Sequence, residues 1–107
     1  MTAEEELALL RGWTPAEVCG YLATKVRVIR RRERESQEEF AARAGIPLRT
    51  YKRFETHGRG SLETFIQILR AIDRTHYLFM LFPQPGPANV KPSLQQRLDQ
   101  LRPTKFL

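Results

Sequence analysis

Three basic residues follow a glycine in a stretch that combines alanines, acidic residues and arginines. The stretch reads SQEEFAARAGIPLRTYKRFE over residues 36–55, and Arg49, Lys52 and Arg53 stand in its second half. On a helix these three positions share one side. A guanidinium can donate two hydrogen bonds to a guanine edge, and either kind of cation can pair with a phosphate. The chemistry that these residues favour is therefore recognition of a polyanion.

The charge of the chain is concentrated around this stretch. The chain has 107 residues and a net charge of +6, and 41% of its residues are hydrophobic, enough for one small domain. Residues 25–59 contain eleven Lys or Arg and five Asp or Glu, so the whole excess lies in this third of the sequence. A basic region of this kind indicates a polyanionic partner.

Paired caps predict where the helices around the stretch begin. Thr14 with Glu17, and Ser36 with Glu39, have the spacing of a capping box, in which each side chain accepts a hydrogen bond from the other residue's backbone. Gly45 can end a helix in the left-handed conformation. No strand pattern of any length occurs. The predicted helices cover residues 15–34, 37–44, 47–56, 62–73 and 76–82.

The first of these helices has two chemically different sides. An apolar side is expected to face the core, with Val18, Leu22, Val26 and Ile29. The other side is a predicted cationic stripe, with Arg27, Arg30, Arg31 and Arg34. The stripe leads directly into the stretch quoted above.

The two ends of the chain are expected to lie outside the main domain. Residues 1–13 form an N-terminal extension with one or two turns of helix, and residues 14–82 form the domain. Residues 83–107 are a proline-rich linker with a short tail, whose Leu94, Leu98 and Leu101 share one side of a helix. The apolar run HYLFMLF (76–82) is interpreted as a buried fifth helix or a subunit interface.

The second and third predicted helices have the residue pattern of a helix-turn-helix. Ala41 is small enough for a close crossing, Gly45 makes the turn, and Phe40, Tyr51 and Phe54 hold the pair together. The second helix of such a unit enters the major groove of DNA. Its outward side is the one that presents Arg49, Lys52 and Arg53.

This region resembles the Cro/lambda-repressor-like, XRE-type helix-turn-helix superfamily. Members usually read LSQEELA..AGVS..T...FE, where this chain reads ESQEEFAARAGIPLRTYKRFE, and SLETL..I..AL, where it reads GSLETFIQILRAI. The resemblance covers about residues 21–82. It implies an all-α fold, a compact five-helix DNA-binding domain, and no catalytic activity.

The resemblance also implies roles for individual residues. The positions that contact base edges in the family match Leu48, Arg49 and Arg53. The positions that contact the DNA backbone match Arg32, Arg34, Gln37, Thr50 and Lys52. Phosphate contacts position the protein and make binding sensitive to salt, while base contacts specify the sequence.

Three residues depart from the family pattern. Pro47 stands where Ser or Thr is usual, so the third helix is expected to lack a side-chain cap. Glu35 stands where an apolar residue is usual and is expected to loosen the packing between the first two helices. Tyr51 replaces an aliphatic residue, and its hydroxyl needs a hydrogen-bond partner or access to solvent.

Three functions are consistent with this pattern. The first is a homodimeric repressor of its own operon that binds a palindromic operator, with recognition helices about 34 Å apart. The second is an antitoxin similar to HipB-like regulators, which also binds a toxin protein; residues 83–107 then either hold the toxin or are a disordered remainder. The third is a protein-interaction module that no longer binds DNA.

An enzyme is not expected from these residues. His57 and His76 have no Cys or His at zinc spacing, Cys19 is expected to be a small packed residue, and no phosphate loop is present. No cofactor or metal is therefore expected. No leader precedes the acidic first segment and no apolar run reaches about 18 residues, so a cytoplasmic, nucleoid-associated prokaryotic protein without a membrane partner is expected.

Overall fold

The computed structural model describes residues 1–83, which form helices connected by short loops. They contain five α-helices and one 3₁₀ helix and no strand, so the all-α prediction is confirmed for this part of the chain. The helices are α1 (Ala3–Gly12), α2 (Pro15–Arg32), α3 (Gln37–Ala44), α4 (Leu48–His57), α5 (Leu62–Ala71) and the 3₁₀ helix (Thr75–Leu81). Met1–His76 form one compact unit, and the chain from Tyr77 forms another. The predictions for the proline-rich linker and the tail lie outside the described residues, except for Pro83.

Capping boxes begin the first three helices. The predicted boxes at Thr14 and Ser36 are both present, so the starts of α2 and α3 are confirmed. A third box, between Thr2 and Glu5, was not predicted. It makes α1 a regular helix of 10 residues, longer than the one or two turns expected.

The helix ends differ from the prediction by a few residues. α2 ends at Arg32 instead of Arg34, and Arg34 has a positive φ of 58° in the loop before α3. Gly45 ends α3 with a φ of 75°, as predicted. Pro47 is the N-cap of α4 and makes no side-chain cap hydrogen bond, so the expected missing cap is confirmed.

Aromatic residues of α3, α4 and α5 meet in the core. The rings of Phe40 and Tyr51 have centroids 4.7 Å apart, and those of Phe54 and Phe65 are 6.1 Å apart. Ala41 is only 2% exposed, as its small size at the crossing predicts. The core therefore fixes one whole side of α4 against its neighbours.

The apolar run at residues 76–82 is not a buried α-helix. It lies largely in the 3₁₀ helix, which has no buried residue, and Met80 and Leu81 are 70% and 68% exposed. A run this short that stops at Pro83 favours a tighter, non-α helix. The expectation of a buried fifth helix is therefore wrong, while the alternative of a subunit interface stays a prediction.

Candidate nucleic-acid interface

α4 has one buried side and one exposed cationic side. Tyr51, Phe54 and Glu55 are buried, whereas the three predicted contact cations are exposed: Arg49, Lys52 and Arg53. The ion pairs found among residues 1–83 are Lys25–Glu6, Arg30–Glu55 and Arg43–Glu35, and none uses those three cations. Their charges therefore face solvent without an internal counter-charge in this part of the chain.

The other two predicted contacts on α4 lie at the border between the sides. Leu48 and Thr50 are each half-buried. Leu48 packs against the hydrophobic core, so only part of its side chain is offered to a ligand. Of the two, only Thr50 has a polar side chain, and its hydroxyl has the chemistry for a phosphate contact.

Behind this surface, a buried ion pair joins α2 to α4. The Nε and NH2 atoms of Arg30 donate to the two carboxylate oxygens of Glu55, each over 2.9 Å, and NH1 donates to the carbonyl of Glu35 over 2.8 Å. The side chains of Arg30 and Glu55 are only 10% and 4% exposed. The prediction that Arg30 belongs to the cationic stripe is therefore wrong, because a carboxylate 25 residues later in the chain draws it inward.

Two more side chains donate to the same carboxylate. The Nε2 atom of Gln37 lies 2.9 Å from one oxygen of Glu55, and the Tyr51 hydroxyl donates to the other. The partner that the Tyr51 hydroxyl was expected to need is thus one turn further along α4. The bond from Gln37 uses one of its two amide hydrogens. Glu55 therefore connects α2, the start of α3 and α4.

The ionisation of this cluster follows from its contacts. Burial alone would raise the pKa of Glu55, but hydrogen bonds from Arg30, Tyr51 and Gln37 outweigh burial and hold that pKa below its usual range. Burial, and then the bond to Glu55, raises the pKa of Tyr51. At neutral pH the Glu55 carboxylate is therefore charged, and it holds its partners through charge-assisted hydrogen bonds.

Glu35 forms an ion pair with α3. The Nε and NH2 atoms of Arg43 lie 2.7 and 2.9 Å from the two carboxylate oxygens of Glu35, and Arg43 also donates to the carbonyl of Ala71 in α5. The Arg43 guanidinium lies over the Phe40 ring, 5.2 Å from its centroid. Glu35 thus attaches the loop before α3 to α3 itself. Looser packing between α2 and α3 stays a prediction.

Of the predicted contacts on and after α2, Arg32 lies away from α4. Ala23, Val26 and Arg30 are the buried residues of α2. Arg32 follows Arg30 by two residues, so its side chain leaves the helix about 200° around the axis from that of Arg30. Lys25, two turns earlier on the same side as Arg32, pairs with Glu6 of α1 over 3.2 Å. Arg34 lies beyond the helix end and is exposed. The structure therefore does not bring Arg32 together with the cations of α4.

The buried cluster is what sequence reasoning missed, although a clue was present. Arg30 follows Val26 by four residues, and Glu55 follows Tyr51 by four, so each charged residue stands one turn beyond an apolar one. A charge on the core side of a helix requires a partner. Two such residues of opposite sign on neighbouring helices would have suggested the pair.

Residues 1–83 contain neither a metal-binding cluster nor a membrane-spanning helix. Among residues 1–83, no three His, Cys, Asp or Glu side chains are grouped in a way that would hold a metal ion. None of the helices in this range combines the length and the apolar character that a membrane crossing requires.

Comparisons with models of known protein families, with characterised proteins and with solved structures found no match to this chain. The family resemblance of residues 21–82 therefore stays a prediction from the residues that carry it.

Proposed function

We propose that this chain is a sequence-specific DNA-binding transcriptional regulator in which α3 and α4 form a helix-turn-helix. The observation that carries the proposal is the cationic side of α4, which has no internal counter-charge among residues 1–83 and is held opposite a fully buried side. A helix whose position is fixed by the core and whose cations point outward has the properties of a recognition helix.

The dimensions of α4 agree with this role. Its 10 residues give a length of about 15 Å, and the major groove of B-DNA, about 12 Å wide, admits one α-helix. Arg49 and Arg53 are four residues apart, hence about 6 Å apart along the axis, which is close to two base-pair steps. Each guanidinium would donate to N7 and O6 of a guanine.

The surrounding residues would contact the phosphates. Lys52 and Thr50 flank the two arginines on α4, and Arg34 lies in the loop before α3. Gln37 would use its remaining amide hydrogen. These contacts position the protein and give its affinity a steep dependence on salt.

As a repressor, the protein would act as a homodimer on a palindromic operator in its own promoter. Two recognition helices about 34 Å apart would enter successive major grooves on one side of the duplex. Repression would then be steric, since a bound dimer competes with polymerase for the promoter. No bond is made or broken.

The test is fluorescence anisotropy with duplex DNA from upstream of the gene and with a scrambled duplex, at two salt concentrations. The double variant Arg49→Ala/Arg53→Ala should lose about 2–6 kcal/mol of specific affinity, at about 1–3 kcal/mol for each base contact. The matched control is Arg70→Ala, which removes an exposed arginine from α5 and should leave both affinities nearly unchanged.

The outcomes separate sequence-specific DNA binding from non-specific binding and from no binding. Preferential binding of the upstream duplex, lost in the α4 variant and kept in the control, supports a specific regulator. Equal binding of both duplexes would show that the protein binds DNA without sequence specificity, as a polycation does. No binding to either duplex would refute DNA binding and leave a protein-interaction module.

A second candidate is an antitoxin that also binds a toxin protein, for which the exposed apolar side chains of Met80 and Leu81 offer a contact surface. Met80 and Leu81 are more than two-thirds exposed, and apolar patches of this kind commonly mark protein interfaces. Light scattering of the wild type and of Met80→Ser/Leu81→Ser would test the homodimer. If a kinase-like toxin gene lies beside this gene, co-expression of that toxin with the wild type should relieve its toxicity. Co-expression of the toxin with Met80→Ser/Leu81→Ser should not.

A further inference from the structure

Neighbouring elements occupy three sides of α2. The side towards α4 carries Ala23, Val26 and Arg30. The side towards α1 carries Tyr21 and Lys25, which both bind the carboxylate of Glu6. The side towards α5 carries Leu22, which lines a small cavity together with Phe54 and Phe65. None of these contacts lies on the fourth side of α2, which is called the open side below.

Arg27 and Arg31 lie on that open side. At 100° per residue, Arg27 is about 60° and Arg31 about 100° from Arg30, in the same rotational sense. Arg31 is exposed, Arg27 is half-buried, and neither takes part in an ion pair within residues 1–83. Because no acidic residue occurs in the sequence between Glu17 and Glu33, these positive charges are not neutralised along α2.

The open side of α2 borders the cationic side of α4. The two helices run in roughly opposite directions, because Cys19 in the first half of α2 lies against Gly58 after the end of α4, while Arg30 pairs with Glu55. Lys52 is rotated about 60° from Glu55, in the same sense as Arg27 from Arg30. When two packed helices run in opposite directions, residues rotated by the same angle from the contact, in the same sense, lie on the same side of the pair. Arg27 and Lys52 therefore lie on the same side of the α2–α4 pair.

We infer that Arg27 and Arg31, and not Arg32, are the residues of α2 that bind the DNA backbone. The inference rests on the proposed function and assigns phosphate contacts that the family resemblance does not. The major groove is about 8.5 Å deep, and packed helices have axes about 8–10 Å apart. With α4 in the groove, the phosphates along the groove edge rise to the level of α2, within reach of arginine side chains on its open side.

The test compares three proteins over a salt titration, with the upstream duplex and a scrambled duplex of the same length. Arg27→Gln/Arg31→Gln removes the two proposed contacts. Arg32→Gln is the matched control, since it makes the same substitution on the same helix, on the side towards α1. Circular dichroism checks that each variant keeps the helical content of the wild type, as expected for side chains outside the core.

The slope of log K against log salt measures the number of neutralised phosphates, at about 0.9 per contact. The double variant should lose about 1.8 from this slope on both duplexes, so that it loses about tenfold less affinity between about 50 and about 200 mM salt. It should keep its preference for the upstream duplex. Arg32→Gln should keep the wild-type slope.

Two results would overturn the inference alone: an unchanged slope in the double variant, or a loss of about 0.9 from the slope in Arg32→Gln, which is the loss expected for one phosphate contact. In both, the wild type still binds and discriminates, so the proposed function survives. A wild type that binds neither duplex would refute the proposed function and this inference together.

Discussion

Replacement of Glu55 by glutamine removes the negative charge from the buried cluster while it nearly preserves the shape of the side chain. In the wild type, Arg30 donates two hydrogen bonds to this carboxylate, and Gln37 and Tyr51 donate one each. In Glu55→Gln the guanidinium of Arg30 stays buried without a counter-charge. An amide oxygen can replace only part of the lost acceptor capacity.

The expected loss of unfolding free energy is about 3 kcal/mol. Removal of one partner from a buried ion pair typically costs about 3–5 kcal/mol, because an uncompensated charge remains. The lower end applies here, since Arg30 keeps its bond to the Glu35 carbonyl and the new amide oxygen accepts at least one bond. For a domain whose total stability is about 5–15 kcal/mol, this is a large fraction.

Urea unfolding followed by circular dichroism would measure the loss, with Glu35→Gln as the matched control. That variant makes the same substitution in the Glu35–Arg43 pair, whose arginine is 45% exposed. Solvent screens an exposed pair, so the control should lose less than about 1 kcal/mol.

The reasoning would be refuted if Glu55→Gln lost no more stability than the control. A third protein tests the cause of the loss. Arg30→Met/Glu55→Leu replaces both charges by apolar groups, and such replacements are often neutral or stabilising, apart from the acceptor that Gln37 and Tyr51 lose. It should therefore be more stable than Glu55→Gln, and the opposite order would show that the unpaired charge is not the main cost.

Three further predictions concern acid and the glycines. Between about pH 6 and about pH 3 the wild type should lose more unfolding free energy than Glu55→Gln. The carboxyl of Glu55 takes up its proton at an ordinary pKa in the unfolded chain but only at a lowered pKa in the folded protein, so acid favours the unfolded chain. Urea midpoints that fall by the same amount in both proteins would contradict this prediction. Gly58→Ala should be clearly more destabilising in thermal melts than Gly45→Ala. Both have a positive φ, which costs about 1–2 kcal/mol for alanine, but only at Gly58 would the new Cβ lie 2.9 Å from the backbone of Cys19. Gly20→Ala, in open space within α2, should gain about 0.8–1 kcal/mol, and a loss would mean that this position is constrained by something other than helix propensity.

Local patterns in the sequence predicted the starts of the helices well. A capping box involves residues three apart, so Thr14 and Ser36 could be assigned without knowledge of the fold, and the structure confirms both. The same spacing at Thr2 and Glu5 also forms a capping box, so this local pattern applies to α1 as well. The exposed cations of α4 were also predictable, because the period of the helix places them opposite Tyr51 and Phe54.

The partners of the charged residues could not be predicted in this way. A helical period shows that Arg30 and Arg31 lie at different angles, but only the packing of α4 on α2 shows which of them meets Glu55. The position of Arg32 has the same origin, since α1 occupies that side of α2 through Glu6. Contacts between residues far apart in the chain decided each of these outcomes.

The separation of the two sides of α4 has a consequence for how its outer residues can be changed. Everything that fixes the helix lies on one side, in the aromatic rings and in the carboxylate of Glu55. Arg49, Lys52 and Arg53 contribute almost nothing to holding it there. They can therefore be exchanged in combination while the scaffold stays folded, and a library randomised at these three positions should yield mostly folded proteins that differ in the ligand they prefer. In evolution or in design, the same scaffold could acquire a new target by changes at its outer positions alone.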